Sequence, residues 1–329
     1  MKPIAPRKPL LQVQHLSVGI RQGSTYLLGV DDIGFQVQSG EIVGILGESG
    51  CGKTLTALSI LGLLPPNIQV IKGTILFDGL DLRVLSEREF CGIRGKALSM
   101  VFQEPMSSLN PVLTIGRQIA EPLRLHGRKN KRLIEAEVLD IMGELGLPEP
   151  VKLAAAYPHQ LSGGMRQRVL LALAIVCKPK LLIADEATTA LDLSTQAQIL
   201  HRLKRINRDV GTSILFISHD LGVIRRLCDR LLVMYAGKLL EEGTVEAVFA
   251  DPCHEYTKGL IGSIPQQERK GKPLISIPGK VPSIEEKPPG CPFAPRCSKA
   301  RAQCTVRFPD PLSLSGDHRV CCIRETEYV

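Results

Sequence analysis

The chain has 329 residues, of which 44% are apolar and 22% charged, with a net charge of +8. These values exclude wholesale disorder and allow a large buried core. Tryptophan is absent and aromatics make up 4%, which argues against a base-stacking platform for single-stranded nucleic acid.

The N-terminal stretch Met1-Lys2-Pro3-Ile4-Ala5-Pro6 lacks the apolar run of a signal peptide. The protein is therefore expected to stay in the compartment where it is made. The longest apolar run, Val169 to Cys177, is nine residues, against the roughly 20 that a spanning helix needs. The positive charge is diffuse. Its densest stretch, Arg124 to Arg132, reads as a solvated loop and helix start, with contact to an acidic partner or lipid headgroup as the alternative.

Glu41-Ile42-Val43-Gly44-Ile45-Leu46 reads as a buried strand. It runs into Gly47-Glu48-Ser49-Gly50-Cys51-Gly52-Lys53-Thr54, which fits G-x-x-x-x-G-K-[ST] between a strand and a helix expected at 53–63. Glycines at these positions let backbone N–H groups turn toward phosphate oxygens, and the helix N-terminus adds positive potential. Lys53 is placed to reach the β- and γ-phosphates, and the Thr54 hydroxyl to ligate Mg²⁺. Cys51 occupies a position that requires a small residue.

The stretch from about 105 to 160 begins with Ser, Asn and Pro and continues with helical spacing, including a helix at 132–145. It reads as a helical insertion without a clear strand. Leu161-Ser162-Gly163-Gly164-Met165-Arg166-Gln167-Arg168 then opens a helix at 164–177. This is a second glycine-bearing helix N-terminus, hence a second potential anion site. One nucleotide does not need two such loops, so this one suits a nucleotide held by another subunit.

Leu181-Leu182-Ile183-Ala184 is a second buried strand, followed at once by Asp185 and Glu186. An aspartate at a strand end beside a phosphate loop can hold the Mg²⁺ shell. The next residue of an extended chain faces the other way, which leaves Glu186 to take a proton from an attacking water. A helix at 194–209, a strand at Ile214–Ile217 and a helix at 220–227 complete an alternation that points to a mainly parallel α/β core.

Beyond Asp251-Pro252 the composition changes. Ten prolines fall between Pro265 and Pro311, which disfavours regular helix or central strand. Five of the ten cysteines lie in the last 39 residues. Four of them form the pattern Cys291-x5-Cys297-x6-Cys304-x17-Cys322. A reducing compartment disfavours disulfides, and the paired C-x2-C knuckles of zinc ribbons are missing. Four thiolates on irregular loops can hold an iron–sulfur cluster; zinc or free thiols are the alternatives.

The ordered motifs resemble those of ABC transporter ATP-binding subunits. Leu161 to Arg168 is similar to the LSGGQ-type signature, with Met165 in place of Gln. Val101-Phe102-Gln103-Glu104-Pro105 resembles the Q-loop, Ala190-Leu191-Asp192 the D-loop, and Ile217-Ser218-His219-Asp220 the switch-histidine segment. The resemblance covers about residues 10–250. It implies a P-loop ABC ATPase core with a helical subdomain at about 105–160, and a head-to-tail dimer with two ATPs between phosphate loop and signature. It further implies Glu186 as general base, His219 as γ-phosphate contact, and Gln103 as metal ligand and link to the membrane partner. Ile20 stands near where the family places an adenine-stacking aromatic, with Tyr26 as a substitute, and Ala187 stands where the family has Pro.

Residues 251–329 resemble the small Cys/Pro-rich C-terminal extension of dipeptide and oligopeptide importer ATPases. The carriers are Pro252-Cys253-His254-Glu255-Tyr256-Thr257, with Glu255 in place of Pro, and Gly290-Cys291-Pro292-Phe293-Ala294-Pro295-Arg296-Cys297. Met106 to Pro111 resembles the same subfamily. Some members carry a [4Fe–4S] cluster here. Alignment with Arg319-Val320-Cys321-Cys322 selects Cys322 over Cys321 as the fourth ligand.

The resemblance thus implies an ATPase powering peptide import from the cytoplasmic face of the membrane. The implied partners are two transmembrane permease subunits, a second and different ATPase chain, and an extracytoplasmic solute-binding protein, with no nucleic acid. The alternatives are a nickel or other small-solute importer of the same subfamily and a soluble ABC ATPase acting on nucleic acid.

Overall fold

A computed structural model describes residues 9–102, 108–187, 192–264 and 276–323. Its contacts divide the chain into two compact units. The first, made of Leu11–Gln36, Ile42–Arg83 and Ile217–Val329, carries the phosphate loop and the cysteine-rich C-terminal segment. The second is made of Met1–Leu10, Val37–Glu41 and Val84–Phe216.

In the first unit the strand Ile42–Leu46 pairs in parallel with Arg230–Tyr235, Val43 opposite Arg230 and Leu46 opposite Val233. Every residue of Ile42–Leu46 is buried, as are Leu231 to Tyr235, which accounts for the unbroken apolar runs. The turn at Ala236 and Gly237, with φ of 44° and 89°, returns the chain into Lys238–Thr244, antiparallel to Arg230–Tyr235. His318–Val320 pairs antiparallel with Lys238–Thr244, and Leu312–Ser315 pairs with His318–Val320. The C-terminal hairpin therefore extends the sheet that holds the phosphate-loop strand. A separate antiparallel sheet runs in the order Thr25–Gln38, Pro9–Gln22, Ile68–Phe77, Leu80–Asp81.

Glu241 ties the C-terminal segment to this unit. Its side chain is wholly buried. Its carboxylate accepts from His318 Nε2 at 2.8 Å and from the backbone N–H groups of Cys253 at 2.8 Å and His254 at 2.9 Å. Hydrogen bonds to this carboxylate hold its pKa down against the burial that would raise it. Glu241→Leu removes the acceptor of several buried donors and is expected to lower unfolding stability by about 3 kcal/mol, measured by denaturant titration. An unchanged midpoint would show that the anchor contributes nothing.

In the second unit Leu98–Val101 pairs in parallel with Leu181–Asp185, Leu98 opposite Leu181, and Ser213–Ser218 lies on the far side of Leu181–Asp185. The described part of the 105–160 stretch holds the helices Ile115–Leu125, Lys131–Glu144 and Pro150–Ala154 and no strand. The first of these packs on both Lys131–Glu144 and the helix Gly163–Ile175.

The helices read from sequence appear at Lys53–Leu61, Lys131–Glu144, Gly163–Ile175, Leu193–Val210 and Leu221–Leu227. The first stops two residues early, because Gly62 adopts φ 61° and its N–H bonds back to Leu58 and Ser59 carbonyls. The proline-rich stretch contains only short helical turns among its described residues, Ala294–Arg296 and Ala302–Val306.

Candidate functional site

The phosphate loop leaves the buried strand Ile42–Leu46 at Gly47. A Cβ there would lie 2.2 Å from the Met234 carbonyl oxygen, so only glycine fits. Gly50 and Gly52 take φ of 77° and 101°, the left-handed region that glycine adopts without strain. Gly52 also precedes the helix Lys53–Leu61, and no side chain caps that helix start. Its first N–H groups are thus left to an external anion. Ser49, Gly50 and Thr54 are exposed. The Lys53 side chain is buried, and its ammonium donates to the carbonyl oxygens of Gly47 at 2.8 Å and Glu48 at 3.0 Å. The loop, a helix N-terminus and a cation together fit a polyphosphate.

Cys51 is fully buried beneath this loop. Burial pushes its thiol up, with Lys53 acting in the opposite direction. It fills space as a small apolar group rather than presenting a reactive thiolate.

His219 is exposed at the end of Ser213–Ser218 and belongs to the same unit as the phosphate loop. The turn around it is fixed from both sides. The Ser218 hydroxyl accepts from the Asp220 N–H at 2.9 Å, and Asp220 caps the helix Leu221–Leu227 through Gly222 and Val223.

The carboxylates lie in the second unit. Asp185 ends the strand Leu181–Asp185 and is 2% exposed. Glu186 is not extended: its φ is 46°. The expected alternation along a strand is therefore replaced by a sharp turn. A left-handed non-glycine residue costs on the order of 1–3 kcal/mol and persists where surrounding structure holds it. Here the buried Gln167 amide donates to the Ala187 carbonyl oxygen at 2.5 Å. Gln167 lies in the helix opened by the signature-like loop, so that helix and the carboxylate turn are joined directly. The sequence reading assigned Gln167 no role, and its position two residues after Met165 was the only signal available.

Ser162 caps the helix Gly163–Ile175 by accepting from the Met165 N–H. Leu161 is buried, whereas Ser162 and Gly163 are exposed and Gly164 and Met165 half-buried. Asp192 caps the helix Leu193–Val210, accepting from the Thr195 N–H at 2.9 Å and hydroxyl at 2.7 Å. These bonds, the hydroxyl's first, hold its carboxyl below the usual range. Gly164 faces this cap, since a Cβ on it would lie 3.3 Å from the Thr195 methyl. The signature-like loop and Asp192 are thus neighbours. Gln103, Glu104, Pro105, Ala190 and Leu191 lie outside the described residues. On the antiparallel sheet, Ile20 is half-buried and Tyr26 is exposed.

The four cysteines of the C-terminal pattern meet. Cys291, Cys297, Cys304 and Cys322 line one small, largely apolar cavity, together with Cys321, His254 and Phe293. Burial, and after it the charges of Cys322, Cys304 and Cys297, push the Cys291 thiol up to about 12. Cys321 is also raised to about 12 by burial, but the charge acting on it most is that of Glu242. His254 is fully buried, which lowers its pKa to about 4 and keeps it neutral. Its Nδ1 accepts from the Tyr256 N–H at 3.1 Å, which leaves the proton on Nε2, 3.8 Å from the Cys291 sulfur. The cavity thus offers a ring of thiols with an N–H donor to one of them. Among the described residues, the one His/Cys/Asp/Glu group gathered within 4.8 Å is Glu241, Cys253 and His318. The four cavity thiols are therefore spread more widely than the roughly 3.8 Å sulfur spacing of a tetrahedral zinc site with about 2.3 Å bonds.

Comparison with known proteins follows this layout. The ABC transporter family profile matches residues 30–189, and that of the oligopeptide/dipeptide transporter C-terminal region matches residues 240–304. The chain is 46% identical over 314 residues to a dipeptide transport ATP-binding protein of Bacillus subtilis, covering 95% of this chain and 94% of that one. It is 44% identical over 298 residues to an oligopeptide transport ATP-binding protein of Haemophilus influenzae, covering 91% and 92%. Among solved structures, a dimeric ATP-binding cassette in a post-hydrolysis state with ADP and phosphate superposes with a TM-score of 0.65 at 26% identity, covering 71% of this chain and 98% of that one. A component of an ABC transporter complex from Clostridium perfringens gives 0.64 at 25% identity, covering 74% and 92%.

Proposed function

The chain belongs to the ATP-binding proteins of ABC transporters, in the group with the oligopeptide/dipeptide C-terminal region, and from that premise we propose that it binds and hydrolyses ATP to power import of dipeptides or oligopeptides. The observation that carries this reading is the joint presence of the phosphate-loop cradle and the peptide-transporter tail in one chain, 46% identical to a dipeptide transport ATP-binding protein. Its core is a P-loop ABC ATPase fold, like that of the cassettes it superposes on.

Residues 1–250 form the nucleotide-binding part in this proposal, with the helical subdomain at about 105–160, and 251–329 the extension. Gly47 to Thr54 bind the ATP phosphates, with Lys53 on the β- and γ-phosphates. By the family resemblance Thr54, Asp185 and Gln103 would hold Mg²⁺, which would supply charge neutralisation at the phosphates. Glu186 receives the proton of the attacking water, and His219 contacts the γ-phosphate. Leu161 to Met165, with Asp192 beside them, face the ATP of a partner ATPase. Two such subunits closing around two nucleotides, and reopening after hydrolysis, would drive alternating access in two permease subunits. The second ATPase is proposed to be a different chain, and the solute to arrive on an extracytoplasmic binding protein. No described helix is long and apolar enough to cross a membrane, which accords with a peripheral place on the cytoplasmic face. Affinity purification from native membranes tests this directly: permease chains and a second ATPase should co-purify. Recovery of this chain alone, with none of them, contradicts the reading.

The cysteine cavity is proposed to hold a [4Fe–4S] cluster on Cys291, Cys297, Cys304 and Cys322. Support comes from the convergence of the four thiols, their wide spacing and the His254 donor. When bound, such a cluster would act as a rigid cross-link among proline-rich loops. Anaerobically purified protein is expected to contain iron and acid-labile sulfide, and Cys297→Ser to lose both. Stoichiometric zinc without sulfide would contradict it.

A further inference from the structure

Glu48 is the second residue of the phosphate loop, and the C-terminal segment holds it at two points. Arg296 Nη1 donates to both Glu48 carboxylate oxygens, at 2.9 and 3.2 Å, and to the Tyr235 hydroxyl at 3.1 Å. The same guanidinium is aimed by two tail carbonyls: Nε donates to Pro278 O at 2.8 Å and Nη2 to Ile277 O at 3.3 Å. Its side chain is only 6% exposed. The Glu48 N–H in turn donates to the Tyr256 hydroxyl at 3.1 Å. The rings of Tyr235, Tyr256 and Phe293 pack against one another within 5.4 Å between centroids. All of these groups lie in the phosphate-loop unit. Arg296 directly precedes Cys297, and Phe293 lies two residues after Cys291, so one short segment carries both the contact and two of the cavity thiols.

We propose that the C-terminal segment braces the phosphate loop, with Arg296 and Tyr256 as positioning residues that hold Glu48 and so set the affinity for ATP. A loop built on Gly47, Gly50 and Gly52 gains little rigidity from its own backbone. Without fixed points, binding must supply the ordering of its N–H groups, which weakens affinity. Glu48 is the point where that ordering enters. Its side chain is tied to Arg296, its N–H to Tyr256 and its carbonyl to Lys53. Ordering that serves bound ATP and the transition state alike changes KM rather than kcat.

This inference rests on the phosphate-loop reading, and the experiment separates the two. Equilibrium MgATP binding and steady-state turnover are measured on the full-length chain with Arg296→Ala, Arg296→Lys, Tyr256→Phe and Lys53→Ala. Arg296→Ala should weaken ATP binding about tenfold, the scale of lost charge-assisted hydrogen bonds, with kcat within about twofold. Tyr256→Phe keeps the ring packing and should weaken binding several-fold. Arg296→Lys restores a cation at Glu48 and should recover most of the affinity. Unchanged ATP affinity in both Arg296→Ala and Tyr256→Phe overturns the brace, provided that Lys53→Ala abolishes binding. A fall in melting temperature with unchanged affinity in the folded fraction also overturns it, because the contact would then be structural alone. Wild-type affinity in Lys53→Ala would instead remove the phosphate-loop reading on which the brace depends.

Discussion

Lys53→Ala is expected to lower ATP turnover by at least about a hundredfold, the scale of removing one preorganised charge-stabilising donor, and to leave little measurable ATP binding. The reason lies in where the ammonium sits. Its side chain is 5% exposed and held by two loop carbonyls, of Gly47 and Glu48, at 2.8 and 3.0 Å. The substitution removes the cation that the phosphates meet in the cradle, and it takes one donor from each carbonyl, that of Glu48 keeping the Cys51 N–H at 3.3 Å. The loop then loses charge and shape together. Fluorescent-nucleotide titration and phosphate release check this, and turnover within about threefold of wild type would contradict it.

Glu186→Gln should behave differently. The proposed base acts on water, so its amide variant is expected to lose about 10²- to 10⁴-fold in turnover while binding ATP as well as the parent chain. Glutamine has nearly the same shape, and the turn with its left-handed backbone, φ 46°, is held at the next residue by the Gln167 amide on the Ala187 carbonyl. The turn should survive the change. With hydrolysis blocked and binding intact, the closed ATP-bound pair should accumulate when the second ATPase chain is present, visible as a nucleotide-dependent increase in size on gel filtration. Undiminished turnover in Glu186→Gln would remove this residue from the role of base.

Much of this was legible because the informative residues are local in sequence. The phosphate loop announces itself through glycine spacing between a buried strand and a helix, and the carboxylates through an apolar run that stops at Asp185. The buried strands at 42–46, 181–185 and 213–218 were readable as continuous apolar stretches because every residue in them is buried. Pro9–Gln22 and Thr25–Gln38 were not. They lie in an antiparallel sheet and mix Gln, Asp and His with apolar residues, and Pro9–Gln22 pairs with Ile68–Phe77 in an irregular register between Gln14 and Val18. Only Ile33-Gly34-Phe35-Gln36-Val37 alternates buried and exposed, the period of a half-buried strand; the rest of the two strands follows their pairing. The C-terminal hairpin was hidden for a related reason. Leu312–Ser315 and His318–Val320 are too short to carry a signal, and their place is set by partners on Lys238–Thr244 and by Glu241, 77 residues from His318.

The Arg296–Glu48 pair marks the limit more sharply. Its members are 248 residues apart, in segments that the sequence reading treated as separate domains, and neither residue type is unusual in its motif. Only the fold places the cysteine-bearing segment against the phosphate loop. The four cysteines were selected by spacing and resemblance. Their convergence on one cavity, with His254 as a hydrogen-bond donor, joins segments around 254, 291–304 and 322 and could not be read from any one of them. Gln167 is similar: its role comes from the carbonyl that its amide meets after a turn the sequence did not reveal.

The central claim is that ATP hydrolysis by this chain drives peptide import, and uptake of a labelled dipeptide by cells from which the chain has been deleted tests it most directly. Wild-type protein should restore uptake, while Lys53→Ala and Glu186→Gln, present at equal abundance in the membrane fraction, should not. Uptake restored equally by Lys53→Ala, or no restoration by wild type with the other transporter chains present, would contradict the account.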